Sequence, residues 1–277
     1  MEIRTMILEN RKYTGLTASM MWKYNESLEE IGKEKITNCE TMEKGIIVVT
    51  DSAEQFENCD SKSTLPYAIF PKRIYGQVSS LPRGKLYNFN FIGGNFYEGS
   101  RKGKYCSTEL GLAQQELGQK NRAWILDFIK ERFNINSYLE FTDAGAKGDH
   151  VELGEFDYTL KSERPKEDDY SDRGQKGYGE GGRGFDKHYY SKMKSSLFTL
   201  CPAGDHMYSI RFYEALMCES IPIVNSIDET FRSPAEEKLD YKYYLTTDDI
   251  EYRQDWADHN LEIFMQHHTF EFSHHKQ

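Results

Sequence analysis

Ser195-Ser-Leu-Phe-Thr-Leu-Cys-Pro-Ala-Gly-Asp205, continued by Ser209-Ile-Arg-Phe-Tyr-Glu-Ala-Leu216 and Ile221-Pro-Ile-Val224, is the stretch from which the fold is read. Leu197 to Leu200 is an apolar run of strand length, Pro202 and Gly204 mark a loop, and Ser209 stands where a helix wants its N-cap. The helix is expected to reach Cys218, and Ile221 to Val224 supplies the next strand. Strand, loop, helix and strand in this order form the repeating unit of an α/β fold with a parallel sheet. The helix then begins at the carboxyl edge of that sheet, where open α/β sheets bind ligands. Its free N–H groups and its dipole favour a phosphate oxygen there.

Two side chains on this helix carry chemistry. Arg211 and Glu214 lie three apart, off the face on which Phe212, Ala215 and Leu216 are expected to meet the sheet. Arg211 suits a diphosphate, and an ionised Glu214 can accept two hydrogen bonds from ribose hydroxyls. The same spacing also fits an ordinary exposed ion pair, worth roughly a few tenths of a kcal/mol.

Working outward, Tyr87 to Ile92 alternates aromatic and polar residues into Gly93-Gly94, a strand followed by a tight turn. Leu81-Pro-Arg-Gly84 is a turn signal that puts a domain boundary near residue 85, separating an N-terminal part (1–85) from a C-terminal part (86–277). Before it, Gly45 to Thr50 and Tyr67 to Phe70 both read as strands, the first ending at Asp51 and the second closed by Pro71. Gln119 to Phe133 has the apolar spacing of one helical face. Residues 161–187, almost free of aliphatic side chains, read as a mobile surface loop and a candidate lid. Inside it, Gly177-Tyr-Gly179-Glu-Gly-Gly182 matches a dinucleotide fingerprint only formally, because no apolar strand precedes it and no amphipathic helix follows.

Composition narrows the function classes. The 277 residues, 38% of them hydrophobic, fit one large domain or two compact Rossmann-like halves. A formal charge of −10 repels nucleic acid and anionic membranes, yet local cations can still hold a small anionic ligand. No run of about 18 apolar residues is present to span a membrane, and the N-terminus lacks the features of a signal peptide. Five cysteines without Cys-x-x-Cys spacing fit a reducing, cytoplasmic setting. The 19 Tyr and 16 Phe could stack on sugars or bases, although most are assigned to core positions. A monomer is the working expectation.

The segment from Ser195 to Val224 closely resembles the signature region of exostosin-family glycosyltransferases. A weaker similarity covers Phe89-Asn-Phe-Ile-Gly-Gly94 and, after an insertion, Asn121-Arg122. The resemblance implies a GT-B fold: two Rossmann-like domains with parallel sheets around a cleft, the N-terminal one short. It further implies a C-terminal helix packing back on the N-terminal domain, and inverting transfer from a nucleotide sugar, usually a UDP-sugar, to a glycan acceptor. Ser209, Arg211 and Glu214 align with donor-site positions, with Ile210, Pro202 and Gly204 beside them. Gly93 and Gly94 form the opposing turn, and Arg122 becomes a second diphosphate contact. Eukaryotic members are usually Golgi-anchored and longer. A soluble enzyme fits a cytoplasmic system instead, such as that of a chlorovirus acting in its host's cytoplasm.

No Asp-x-Asp motif occurs, and the pairs Asp168-Asp169 and Asp248-Asp249 are adjacent, so donor binding is expected to need no metal and no other cofactor. The helix N-terminus, Arg211 and Arg122 would stabilise the leaving diphosphate. An inverting displacement also needs a general base; Asp51, at the end of a predicted strand, is the first candidate, followed by Asp205 and His206. His267-His268 and His274-His275 are read as a frayed, solvated tail behind a helix at Trp256 to Met265. Xylose is the favoured sugar because the family includes xylosyltransferases. The alternatives are a catalytically silent glycan- or partner-binding module of the same fold, and another Rossmann-like transferase such as a methyltransferase.

Overall fold

The computed structural model describes residues 4–7, 23, 25–32, 46–49, 68–94, 122–141, 159–160, 185–203, 209–230 and 239–270. Near the N-terminus, β1 (Arg4–Ile7) and β2 (Ile46–Val49) pair in parallel. The strand expected over Gly45 to Thr50 is therefore β2, while Asp51 lies outside the described residues. Residues 25–30 form a short helix, α1, whose Glu30 carboxylate accepts from the backbone N–H groups of Lys72 (2.5 Å) and Arg73 (3.0 Å). Those N–H groups open α2 (Lys72–Ser79), whose N-cap, Pro71, has no side chain able to cap them. A carboxylate borrowed from α1 does that work, and Glu26 adds an ion pair to Arg73 at 2.6 Å.

The strand expected over Tyr67 to Phe70 does not form at Ala68 to Phe70, and Tyr67 lies outside the described residues. Ala68, Ile69 and Phe70 are buried without regular secondary structure, and their backbone pairs with the far end of the chain. The Phe70 N–H donates to the His268 carbonyl at 2.8 Å, and the Ala68 carbonyl faces His268 Nδ1 at 2.7 Å. An apolar run is equally compatible with a strand and with a buried connector; the partner decides, and here it lies 200 positions away.

After α2 the chain enters one six-stranded sheet in the order β5-β4-β3-β6-β7-β8. Its strands are β3 (Tyr87–Gly93), β4 (Tyr138–Phe141), β5 (Thr159–Leu160), β6 (Ser196–Leu200), β7 (Ile221–Val224) and β8 (Tyr244–Leu245). Every neighbouring pair is parallel. Counted from β3, this is the doubly wound order of the dinucleotide-binding fold, and it reverses direction between β3 and β6.

Both faces of the sheet are covered, which is why β7 can read as an unbroken apolar run. On one face Phe91, Leu139, Phe198, Leu200, Ile221 and Ile223 pack on α3 (residues 122–132). On the other, Ile92, Cys201 and Val224 join α2, α4 (Lys187–Lys194), α5 (Ile210–Met217) and the end of α6 (Gln254–His267). Residues 68–81 contribute Ile69, Phe70, Ile74 and Val78 to this second core, so both sides of the position near residue 85 share apolar contacts. Pro222 sits within β7, yet β8 pairs only with Ile223 and Val224, so its missing N–H falls where β7 has one neighbour.

Of the C-terminal histidines, His274 and His275 lie outside the described residues, and His268 is a correction. His268 is fully buried rather than solvated, and Thr269 and Phe270 are buried behind it. Its Nε2 meets the Tyr241 hydroxyl at 2.8 Å while Nδ1 faces Ala68, and Phe264 lies against Phe70 at 5.2 Å between ring centroids. The end of α6 is thus clamped to the segment just before α2. Burial drives the His268 pKa down to about 3, so the ring is neutral throughout the physiological range. Residues 161–184 of the expected loop lie outside the described residues, and its last position, Lys187, already begins α4. Among the described residues no helix is long and apolar enough to cross a membrane.

Candidate functional site

β3 and β6 are neighbours that run the same way, so their carboxyl ends open side by side at the point where strand order reverses. β3 ends in Gly93-Gly94, and β6 runs into Cys201, Pro202 and Ala203, all three buried. The chain returns as α5, with Ser209 in extended conformation and its Oγ accepting from the Arg211 N–H at 3.2 Å. That is the cap expected from the sequence. Ile210 is the first helical residue and packs against the core beneath. Gly204, Asp205 and His206 lie outside the described residues.

α5 has no solvated face. Every residue from Arg211 to Met217 is buried, so the exposed ion pair that the Arg211/Glu214 spacing also allowed does not exist. Arg211, only 5% exposed, reaches across to β3 and donates from Nη2 to the Ile92 carbonyl at 2.8 Å. Its guanidinium lies 5.1 Å from the centroid of the Phe91 ring, a cation–π contact in a dry setting. Gly93 makes the approach possible, because a Cβ there would sit 2.7 Å from Nη2. Among the described residues, Nε and Nη1 of Arg211 have no hydrogen-bond partner although both are buried. Arginine cannot shed its charge, so two unpaired donors inside the fold form an incomplete anion site.

Glu214, one turn further on, is 2% exposed. Tyr189 donates to its Oε2 at 2.7 Å and Tyr190 to its Oε1 at 3.0 Å. Each phenol donates to one of the two carboxylate oxygens, which fixes the orientation of the Glu214 side chain. The sequence reading gives these tyrosines no role, since its loop ends at Lys187 and the residues after it are left unassigned. The readable signal is Asp186, an N-cap whose side chain accepts from Tyr189 N–H at 2.9 Å, followed by buried Tyr189, Tyr190 and Met193 at helical spacing.

Arg122 stands beside the Gly93-Gly94 turn, where its side chain bonds backbone oxygens. It lies at the start of α3, donates from Nε to the Ala203 carbonyl at 3.2 Å, and bonds Gly94 O through Nη1. The two carbonyls belong to the loops that leave β3 and β6. Cys201 and Cys218 are free thiols whose pKa values burial pushes far up, so neither is a nucleophile at neutral pH.

The model of the Exostosin GT47 domain matches residues 105–246, a little over half of the 277. A search among curated proteins finds no match. The matched span takes in Arg122, Arg211 and Glu214 together with β4 to β8, and with the doubly wound sheet it gives the reading of the Ser195 to Val224 segment its ground: the chain belongs to the exostosin family of glycosyltransferases.

Proposed function

We propose that the protein is an inverting glycosyltransferase that moves a sugar, xylose first among candidates, from a UDP-sugar to a glycan acceptor. The observation that carries the reading is Arg211: a buried guanidinium with two unpaired donors, at the N-terminus of α5 and at the switch point of the sheet. In this reading the donor diphosphate lies against the first turn of α5 and completes the Arg211 contacts. Glu214, held by Tyr189 and Tyr190, is the acceptor for the ribose hydroxyls.

Positive charge already in place where the leaving diphosphate gathers electrons supports transfer without a divalent cation. The general base is sought at Asp51, Asp205 or His206. Residues 1–85 take the acceptor side of a two-domain cleft, 86–277 the donor side, and the enzyme acts as a cytoplasmic monomer. Melting temperatures measured with a panel of UDP- and GDP-sugars, in EDTA and in magnesium, test this directly. A rise of several degrees with one UDP-sugar, equal in both buffers and absent in Arg211→Gln, is expected. No shift with any nucleotide sugar, or one that needs magnesium, overturns the respective part of the reading.

A further inference from the structure

We infer that Arg122 is a positioning residue that sets the width of the donor crevice, and not a ligand of the diphosphate. The inference rests on the donor reading above and changes the part Arg122 plays in it. A planar guanidinium presents its donors in a fixed fork, so bonding two carbonyls at once fixes the distance between them. Here one carbonyl is Gly94 O, just past the end of β3, and the other is Ala203 O, just past the end of β6. These strands are hydrogen-bonded neighbours as far as Asn90↔Thr199. Beyond that register no strand pairing joins them, at the place where a ligand would enter.

Arg122 bridges that gap from α3, on the sheet face away from α5. Ala203 also leads into the connection to α5, so the staple constrains where Ser209 and Arg211 present their donors. The contrast with Arg211 is direct: Arg211 has two buried nitrogens without partners, whereas Nε and Nη1 of Arg122 are both committed to backbone oxygens. A group already spent on the walls of a crevice shapes what enters it instead of binding it.

The test compares wild type with Arg122→Lys, which keeps the charge but cannot hold two carbonyls in one fork, using uridine, UMP and UDP as probes. A staple predicts that all three dissociation constants rise by a common factor of about 3 to 10, leaving the gain per phosphate unchanged, with kcat falling as well as KM rising. A direct diphosphate ligand predicts that UDP weakens while uridine does not, and that result overturns the inference. Amide hydrogen exchange of the ligand-free variant is the second readout. Faster exchange in both Gly93–Gly94 and Cys201–Ala203, with the α6 amides unchanged, supports the staple. Unchanged exchange in these two segments overturns it even if no uridine compound binds the wild type, in which case the donor reading fails separately.

Discussion

At the amino edge of the sheet, Lys85 donates to the carbonyls of Lys194 (3.0 Å), Ser196 (3.0 Å) and Glu219 (2.6 Å), which lie at the start of β6 or lead into β6 and β7. Beside it, buried Lys194 donates to Val78 O at 2.9 Å and lies 3.6 Å from the Glu219 carboxylate. At the carboxyl edge, Arg211 is as deeply buried as Lys194 and keeps two nitrogens without a hydrogen-bond partner among the described residues. A cavity of about 360 Å³ opens at the amino edge, lined by Arg83, Lys85, Lys194 and Glu219 among others. Lys85 and Lys194 there have oxygen partners and hold strands together, whereas the cation at the carboxyl edge has no anionic partner among the described residues. Because buried polar groups are nearly always paired, the Arg211 guanidinium is the feature on which the donor reading rests.

Glu219 shows how firmly the amino edge is built. It is the one described non-glycine residue with positive φ, at 56°, and it sits just past the C-cap of α5. The N–H of Ser220 reaches back to Ala215 O and that of Glu219 to Leu216 O, the closure that usually recruits glycine. A glutamate here accepts the left-handed conformation and in return supplies a carbonyl to Lys85 and a carboxylate to Lys194.

Substitutions at the two edges should separate cleanly. Arg211→Gln is expected to lower kcat/KM by about 10³-fold, roughly 4 kcal/mol of transition-state stabilisation. Its melting temperature without nucleotide should stay level or rise, since an unsatisfied buried charge is removed; a large fall would make Arg211 a structural residue like Lys85 and erase the contrast. Lys85→Met leaves three carbonyls short of a donor and should cost ~2–3 kcal/mol, or about 5–10 °C in melting temperature, with kcat per folded molecule unchanged. Loss of activity without loss of stability would instead make the amino-edge cavity a working site.

Acid sensitivity tests a third satisfied group. His268 has a folded pKa of about 3 against 6.5 unfolded, so the neutral ring stabilises the fold above pH 6.5. That contribution is lost as pH falls from 6.5 toward 3, because the unfolded chain takes up the proton first. Between pH 6.5 and 5 the loss is about 2 kcal/mol, to be read from denaturant midpoints and to shrink in His268→Gln. The smallest effect is expected at Gly93→Ala, where the added methyl pushes the Arg211 guanidinium off Ile92 O and lowers kcat/KM about tenfold. Tenfold weaker donor affinity with an unchanged melting temperature would confirm that the glycine serves Arg211 and not the turn.

How far the sequence could be read depended on the range of the interaction. The Ser209 cap, the β6 and β7 runs and the Gln119 to Phe133 periodicity are local, and each appears within a few residues of its expected limits. Tyr67 to Phe70 and His268 were misread for one shared reason: each is the other's partner, and neither segment carries a mark of the other. α4 was hidden because its polar sequence makes sense only once Tyr189 and Tyr190 meet Glu214.

From the amino-acid order alone came the α/β class, the strand–loop–helix–strand unit, the family resemblance and the identities of Arg211, Glu214 and Arg122, because spacing, capping and hydrophobic period are properties of neighbouring residues. Only the tertiary structure decided what those side chains do. Packing α5 between the sheet and α6 buried Arg211 and left two of its donors unmet, and docking α4 gave Glu214 its two phenols. Setting β3 beside β6 brought Gly94 and Ala203 within reach of one guanidinium. Burial and pairing are set by partners distant in the chain, and they determine whether a charge serves as a strut or as a binding group.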